Sequence, residues 1–552
     1  MKRFEPLLIA LLAAAFYLAV APARIAGWDA TQFALALAGY DLSMHQPHPP
    51  GCIGHVGLAA LLHLFGLAGE AATIGASLVA AALATATTYL VGARLHSRNA
   101  GRIAALLVAT HPLVAFHAVT GDAYAAEAAL VPFVVWLGLR VGAGGRRRDL
   151  AVFFLAYGLS GALRPNLPLF LFPYAAWRLL RAVRGRPARE VASRTLLAGG
   201  VATAGVLAWL APLAALSGGV GPLRQASGTL YLEQFGRAYS PLMGAPAAAV
   251  LRNLDGLWRH VLATLSVGGL LALAFVPLAL RRRAAGGAAT GEPAASPVPG
   301  ASSPSPDGPA WAVYLAWLVP PFLWFVGMFV FRPGHLLSVL PAFALIAAAV
   351  LERAGRGLPR RIPPLVTATV AAGQLALFAA PPIAWMTTVS DCGLPRLQYD
   401  EARLRQVTDG LRQVAGDDSG SLVVVTRDGD VTFRNLMYRL PDTRVLWLMD
   451  PDSTGVPQPG VEVCEGRHHR VRCDSGKGMW QEAHRPASTT VRLAPEVRAI
   501  AWFADPAGPF WRALDGLPTR EVAAGSTARL RVTDVPGGPF RIAVGPYAFT
   551  RE

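Results

Sequence analysis

Long apolar runs alternate with short polar segments from the N-terminus to about residue 385. A helix that crosses a bilayer needs about 20 mostly apolar residues. The pattern predicts about eleven transmembrane helices, at residues 5–25, 72–93, 102–119, 125–142, 150–163, 166–182, 195–216, 260–280, 311–331, 336–352 and 363–385. From about residue 386 the apolar runs shorten and polar residues mix in. We therefore predict an all-α polytopic membrane domain, residues 1–385, followed by a soluble domain, residues 386–552.

The charge of the short loops orients the spans, because Lys and Arg gather in cytoplasmic loops. With a cytoplasmic N-terminus, each cytoplasmic loop carries arginines, such as Arg146, Arg147 and Arg148. Residues 52–68 are apolar enough to span, but counting them would turn these loops outside. We therefore predict that residues 30–40 and 53–67 form juxtamembrane helices on the outer surface.

Two further segments bear on the organisation of the membrane domain. Residues 284–309 are rich in Ala, Gly, Pro and Ser, which predicts a flexible cytoplasmic linker. Residues 1–23 share features with a cleavable signal peptide, including Ala21-Pro22-Ala23. Their apolar run is long for a signal core and many spans follow, which favours a retained span.

Composition agrees with a membrane protein. The chain of 552 residues is 53% hydrophobic, with a mean hydropathy of +0.40. The formal net charge of +16 would indicate nucleic acid in a soluble protein. Here the arginines sit in short loops and no basic patch is interleaved with aromatics, so we expect no nucleic-acid partner. Richness in Ala, Arg and Gly is typical of a bacterial source, and we expect a multi-pass protein of the inner (plasma) membrane.

The C-terminal domain shows alternating strand and helix patterns. A buried strand and a turn are predicted at 421–430, strands at 443–450, 497–505, 528–534 and 540–545, and a helix at 431–440. This pattern predicts a small α/β domain, and an odd number of spans makes it extracytoplasmic. In that oxidising compartment Cys464 and Cys473, which flank a loop, could pair.

Ionisable residues from several separate loops converge on the predicted outer face. Such groups at a membrane are costly, about 2.5–3.5 kcal/mol at mid-helix, so a convergent set indicates a site. A carboxylate can take a proton from a hydroxyl, and arginine binds phosphate oxygens with paired hydrogen bonds. The set comprises Asp29, Gln32, Asp41, His45, His48, Asp122, Tyr124, Glu127, Arg164, Arg332 and His335.

Each of these residues also has a structural interpretation. Asp29 could cap the surface helix, and Asp122 and Glu127 could cap the fourth span. His48-Pro49-Pro50-Gly51 could be only a rigid turn. Arg164, at a helix break before Pro165, could reach the lipid headgroups. Asp41 is interpreted as a cap or turn residue. A zinc site is a further alternative for His45, His48, His55 and His63, although their spacing matches no closed site.

The order of these motifs resembles the C-type membrane glycosyltransferases, the group that includes protein O-mannosyltransferases and bacterial aminoarabinose transferases. The resemblance rests on Trp28-Asp29 with Gln32 and Phe33, on His48-Pro49-Pro50-Gly51, on Gly121-Asp122 with Glu127, on GALRP at 161–165 and on RPGHLLSVLP at 332–341. It covers residues 1–385. The family often has Asp-Glu in the first outer loop, where this chain has Asp29-Ala30.

The resemblance implies transfer of a hexose or pentose from a polyprenyl-phosphate carrier to an acceptor hydroxyl on a glycan, lipid or protein. It assigns Asp29 as the general base and Asp122 as a residue that orients the acceptor or, with Asp29, holds a divalent cation such as Mg²⁺ or Mn²⁺. Binding of substrate is assigned to Gln32, His48, Glu127, Arg164, Arg332 and His335. The alternative function is a transporter or flippase of lipid-linked sugars, which would predict ionisable residues deep in the spans and two similar halves.

Overall fold

The computed structural model describes residues 4–142, 145–228, 236, 239–288, 309–328, 332–356, 358–381, 391–427, 431–449, 462–473, 490–525 and 528–552. Most of the predicted linker, residues 289–308, lies outside them. The first part of the chain is a helical bundle. Its α-helices are α1 (Glu5–Val20), α2 (Trp28–Ala38), α3 (Ile53–Leu64), α4 (Gly69–Leu95), α5 (Arg98–Ala109), α6 (Pro112–Val119), α7 (Tyr124–Val141), α8 (Arg147–Leu159), α9 (Leu167–Val183), α10 (Ala188–Leu216), α11 (Val220–Gly228), α12 (Ala248–Ala288), α13 (Ala310–Gly327), α14 (Leu340–Gly355) and α15 (Ile362–Ala379).

Six of the described helices, namely α4, α7, α10, α12, α13 and α15, are long and apolar enough to cross a membrane. A seventh span results if α5 and α6, bent by 59° relative to each other, count as one. The helices α1 and α3 are apolar but shorter, with 16 and 12 residues. The chain is thus a multi-pass membrane protein, and the total of eleven spans stays a prediction. The predicted surface segments do form helices, α2 and α3.

In the predicted topology of eleven spans, each crossing reverses the direction of the chain, so the connections alternate between the two sides of the membrane. The predicted cytoplasmic side then holds the α4–α5, α7–α8, α9–α10 and α14–α15 connections, which carry the arginine clusters. The predicted outer side holds α2, the start of α7, and the α2–α3, α6–α7, α8–α9 and α13–α14 connections, which carry the candidate site residues. The predicted topology therefore places the candidate site on one side of the membrane.

A mixed seven-stranded sheet forms the core of the C-terminal domain, in the order β4-β3-β2-β1-β6-β8-β7, beside a three-stranded sheet in the order β5-β10-β9. The helices are α16 (Leu394–Ala415), α17 (Phe433–Arg439) and α18 (Pro509–Arg512). The strands are β1 (Leu422–Arg427), β2 (Arg444–Met449), β3 (Glu462–Arg467), β4 (Arg470–Cys473), β5 (Thr490–Arg492), β6 (Ala499–Ala504), β7 (Arg520–Ala524), β8 (Ala528–Asp534), β9 (Phe540–Val544) and β10 (Tyr547–Arg551).

The central strand β1 explains why the sequence reads as a continuous apolar run there. It pairs in parallel with β2 and β6 and is buried on both faces, Val424 in one core cluster and Val423 and Val425 in the other. The predicted strands and the helix at 431–440 are confirmed, whereas residues 428–430 of the predicted turn after β1 lie outside the described residues. Cys464 and Cys473 lie opposite each other on β3 and β4 and form a disulfide.

Two glycines let α4 and α5 approach closely. A Cβ at Gly101 would lie 2.7 Å from the Tyr89 carbonyl oxygen and 2.9 Å from the Ala93 nitrogen. A Cβ at Gly92 would lie 2.7 Å from Gly101 Cα. Because the obstructing atoms are mostly backbone, a larger residue would force the helices apart.

We expect Gly101→Ala to destabilise the protein by about 1–3 kcal/mol, the usual cost of overpacking. The matched control is Gly199→Ala in α10, where no atom lies within 4 Å of an added Cβ. Thermal unfolding of the purified proteins in detergent measures both. Equal melting temperatures for the two variants would contradict the close packing of α4 on α5.

Candidate active site

Asp29 lies in the first turn of α2 with its side chain 32% exposed. The residue at the N-cap is Gly27, and no side chain caps the helix. The interpretation of Asp29 as a cap is therefore wrong. Gln32 follows one turn later on the same face and is fully buried. Among the described residues its amide oxygen and nitrogen have no hydrogen-bond partner, so the carboxylate and the amide remain available to a ligand.

The segment after α2 folds back and brings His48 close to Asp29. Asp41 closes a turn, since its carboxylate accepts hydrogen bonds from the Ser43 nitrogen at 2.9 Å and the Met44 nitrogen at 3.3 Å; this agrees with its interpretation as a turn residue. A second turn joins the Gly51 nitrogen to the His48 carbonyl at 2.9 Å. His48 Nδ1 then lies 3.8 Å from an oxygen of Asp29. The HPPG segment is thus a turn that also brings an imidazole to the acid.

Burial keeps His48 neutral. It lowers the pKa of His48 below the ordinary value, and Arg164 and Arg332 lower it further, although Asp29 acts in the opposite direction. The pKa of His335 lies well below its ordinary value for the same reasons, burial first and the two arginines after it. At neutral pH these imidazoles can therefore donate or accept a hydrogen bond but add little positive charge.

Asp122 is the most firmly held acid of the site. Its carboxylate accepts hydrogen bonds from His117 Nδ1 at 2.6 Å, from the Thr120 hydroxyl at 2.6 Å and from the Tyr124 nitrogen at 3.1 Å. Burial raises the pKa of Asp122, but the charge of His117 and these donors outweigh it, and the pKa is lowered. The bond to the Tyr124 nitrogen shows that Asp122 also caps the start of α7.

Arg164 lies at the predicted break between α8 and α9 and turns into the protein. Its Nε lies 2.8 Å from a carboxylate oxygen of Glu127, which is only 1% exposed. The guanidinium also covers the ring of Tyr124, 4.4 Å from the centroid. Arg164 is therefore fixed in place, and Glu127 serves as its counter-ion.

The turn between α13 and α14 completes the cluster. Arg332 is solvent-exposed and interacts electrostatically with Asp29 and Asp122. The ring of His335 lies 5.4 Å from that of Tyr124. Between them, Gly334 packs so closely that an added Cβ would lie 2.8 Å from Tyr124 and 2.9 Å from His117 Nε2.

The predicted site residues lie in α2, at the start of α7 and in the connections between helices, and hydrogen bonds, ion pairs or ring contacts join most of them. His117 is a site residue that was not predicted. It lies on α6 within an apolar run, is 4% exposed and pairs with Asp122. Its spacing of five residues from Asp122 was the available signal.

A shared metal ion does not fit Asp122. Both of its carboxylate oxygens already accept hydrogen bonds from protein donors. Within the described ranges no group of three or more His, Cys, Asp and Glu side chains is placed to hold a metal. We therefore derive no step through a divalent cation.

Solved structures of similar shape include ArnT from Cupriavidus metallidurans in two states. ArnT bound to undecaprenyl phosphate aligns with a TM-score of 0.55 at 13% identity, over 96% of this chain and 97% of that one. Apo ArnT aligns with a TM-score of 0.56 at 12% identity, over 97% and 98% of the two chains. The chain has the C-type membrane glycosyltransferase fold. The oligosaccharyltransferase of Archaeoglobus fulgidus in complex with Zn and sulfate aligns with a TM-score of 0.49 at 12% identity, over 90% of this chain and 68% of that one.

No family model matches the sequence, and no curated protein does. The backbone fold thus supports the resemblance that the sequence motifs indicated. The alignments with ArnT cover nearly the whole of each chain, so the shared fold includes both the bundle and the C-terminal domain.

We expect Asp122→Asn to destabilise the protein by about 1–3 kcal/mol, because the amide nitrogen would face at least one N–H or O–H donor. Since the native pKa of Asp122 is lowered, the stabilisation is present above the unfolded pKa of about 4 and is lost as the pH falls through the native pKa. Thermal unfolding from pH 8 to pH 3 should show a difference between the two proteins that shrinks below about pH 4.

The control for this series is Asp409→Asn, an acid whose side chain is 58% exposed in an ion pair with Arg412. Exposed pairs contribute roughly 0–1 kcal/mol. If Asp409→Asn lowered the stability of the protein as much as Asp122→Asn, the structural importance of the Asp122–His117 pair would be contradicted.

Proposed function

We propose that the protein is a glycosyltransferase that moves a sugar from a polyprenyl-phosphate carrier to an acceptor hydroxyl on the extracytoplasmic side of a bacterial membrane. The observation that carries the proposal is the position of Asp29. It is the acid of the cluster that is partly exposed and does not cap its helix, and it faces His48 and Arg332. ArnT, whose fold this chain shares, has been crystallised with undecaprenyl phosphate, which supports a lipid-phosphate donor.

In the proposed reaction Asp29 accepts the proton of the acceptor hydroxyl. The hydroxyl oxygen attacks the anomeric carbon, a new glycosidic bond forms, and the bond from that carbon to the phosphate oxygen breaks with its electron pair going to phosphate. One displacement inverts the anomeric configuration. General base assistance of this kind contributes about 10²–10⁴-fold in rate.

The leaving phosphate gains negative charge, which a cation can stabilise in a site that excludes water. Arg332 is our first candidate because it is solvent-exposed and interacts electrostatically with Asp29 and Asp122. Arg164 adds a second charge, partly offset by Glu127. His48, His335 and Gln32 are neutral and are assigned hydrogen bonds to the donor. We assign Asp122 the role of holding His117.

We expect Asp29→Asn to lower the rate of sugar transfer by about 10²–10⁴-fold, because an amide cannot accept the hydroxyl proton. Donor affinity should change little, since the volume of the side chain is kept. The assay uses purified protein in lipid, a panel of polyprenyl-phosphate sugars and membrane extract as acceptor, with donor binding measured in parallel.

The matched control is Asp41→Asn in the same loop. An asparagine there can still accept the hydrogen bonds from Ser43 and Met44, so transfer should stay near the wild-type rate. Sugar transfer by Asp29→Asn at the wild-type rate would contradict the assignment of Asp29 as the base. Donor binding without turnover in either protein would favour a transporter of lipid-linked sugars.

We expect Arg332→Gln to lower kcat/KM for the donor by about 100-fold, in the range measured when one donor to a developing oxyanion is removed. Arg332→Lys keeps the positive charge but loses the planar guanidinium, so its kcat/KM should lie between those of the wild type and Arg332→Gln. Arg360→Gln, an exposed arginine in the α14–α15 connection at the other end of the bundle, is the control. Equal activity of Arg332→Gln and Arg360→Gln would show that Arg332 does not contact the donor.

A further inference from the structure

The helix that carries Asp29 is packed on two sides. Trp28, Thr31 and Leu35 form one face at helical spacing, and this face meets the C-terminal domain. The ring of Trp28 lies 5.7 Å from Phe433 and 5.6 Å from Trp447, and Leu35 is fully buried in the core of that domain. The opposite face, with Phe33 and Ala36, packs on Cys52, Val56 and Ala123 of the bundle. Asp29 therefore lies on a helix whose position depends on both domains.

Asn435 joins the two domains through one side chain. Its oxygen accepts hydrogen bonds from the Thr432 nitrogen at 2.9 Å and the Thr432 hydroxyl at 2.7 Å, which caps α17 within its own domain. Its nitrogen donates to the Ala26 carbonyl at 3.0 Å and to the Thr31 hydroxyl oxygen at 2.8 Å. The orientation of the amide follows from these partners, because a backbone N–H can only donate and a carbonyl can only accept.

The hydroxyl of Thr31 cannot easily reverse its role. It donates its own hydrogen to the Gly27 carbonyl at 2.8 Å, so it meets Asn435 as an acceptor. Asn435 is 1% exposed, and a hydrogen bond lost at a buried position leaves its partner unsatisfied. Ala26 and Thr31 bracket Asp29 in the chain, so these two bonds fix the turn in which Asp29 lies.

Further contacts hold the chain on both sides of α2. Arg434, fully buried, donates to the Met44 carbonyl. The Gln46 amide donates to the His469 carbonyl at 2.5 Å and to the Leu35 carbonyl at 3.1 Å. Before α2, Glu70 accepts a hydrogen bond from the Ile25 nitrogen at 2.9 Å and pairs with Arg439. The loop that carries His48 is therefore anchored on the same domain as the turn that carries Asp29.

We infer that the C-terminal domain positions Asp29 for the reaction, with Asn435 as a positioning residue that couples the cap of α17 to the first turn of α2. This inference rests on the proposed function. The domain then acts on the catalytic step itself, and not only on recognition of the acceptor or shielding of the site.

The test uses the full-length protein with Asn435→Asp. A carboxylate can still accept the bonds from Thr432 and keep the cap, but it places an acceptor against the Ala26 carbonyl and the Thr31 oxygen. We expect kcat to fall by about 10–100-fold, because a displacement of about 1 Å in a reacting group can cost that much. KM for the donor should stay within about threefold, since the residues assigned to phosphate are untouched. Hydrogen exchange of the amides of α2 should become faster.

The matched control is Gln413→Glu, the same amide-to-acid change at an exposed position on α16, which should change neither kinetics nor exchange. Arg439→Gln removes the ion pair with Glu70 and should shift both readouts in the direction of Asn435→Asp, which covers the case that Asn435→Asp does not fold.

Faster hydrogen exchange in α2 with an unchanged kcat would overturn the inference. Unchanged hydrogen exchange in both Asn435→Asp and Arg439→Gln would also overturn it. A rise in acceptor KM alone would overturn it in favour of acceptor recognition. If wild-type protein transfers no sugar from any donor, the proposed function fails; the exchange rates then decide separately whether Asn435 holds α2.

Discussion

The double packing of α2 is the constraint on which the rest of the site depends. An 11-residue helix with a single buried face would have little to hold its first turn in one place. Here Phe33 packs on the bundle and Trp28 on aromatic rings of the C-terminal domain, so the helix that carries Asp29 is held from both sides, while the carboxylate itself lies 3.8 Å from His48 Nδ1. A base that must exchange protons with a substrate is better held through its backbone than through its carboxylate.

The electrostatics of the cluster follow from how deeply each group is buried. The imidazoles of His48 and His335 are kept neutral because burial and neighbouring arginines lower the pKa of each. Positive charge at neutral pH therefore comes from Arg164 and Arg332. These two differ, since Arg164 pairs with Glu127 and lies over the ring of Tyr124, whereas Arg332 is solvent-exposed and interacts electrostatically with Asp29 and Asp122. The exposed positive charge available to an anionic ligand is therefore that of Arg332.

Local patterns in the sequence were enough to predict the elements. The run LVVVTR predicts a buried strand, and Arg164-Pro165 predicts the break between α8 and α9; both are present. The distribution of positive charge among the loops predicts that the candidate acids lie on one side of the membrane. Contacts between distant segments leave no such pattern. Asn435 meets Thr31 across more than 400 positions, and Gln46 meets His469, and nothing near any of these residues in the sequence marks the pairing.

The same limit explains why Asp29 and Asp122 looked alike in the sequence, as two acids following apolar spans. Their environments separate them. Asp122 is surrounded by His117, Thr120 and the start of α7, which donate hydrogen bonds to both of its oxygens, so a proton added to either oxygen would compete with at least one of these bonds. Within the described ranges Asp29 accepts no such hydrogen bonds, and its side chain is partly exposed. In the proposed reaction the two carboxylates therefore take different roles because of their surroundings: Asp122 holds the loop before α7, and Asp29 acts as the base.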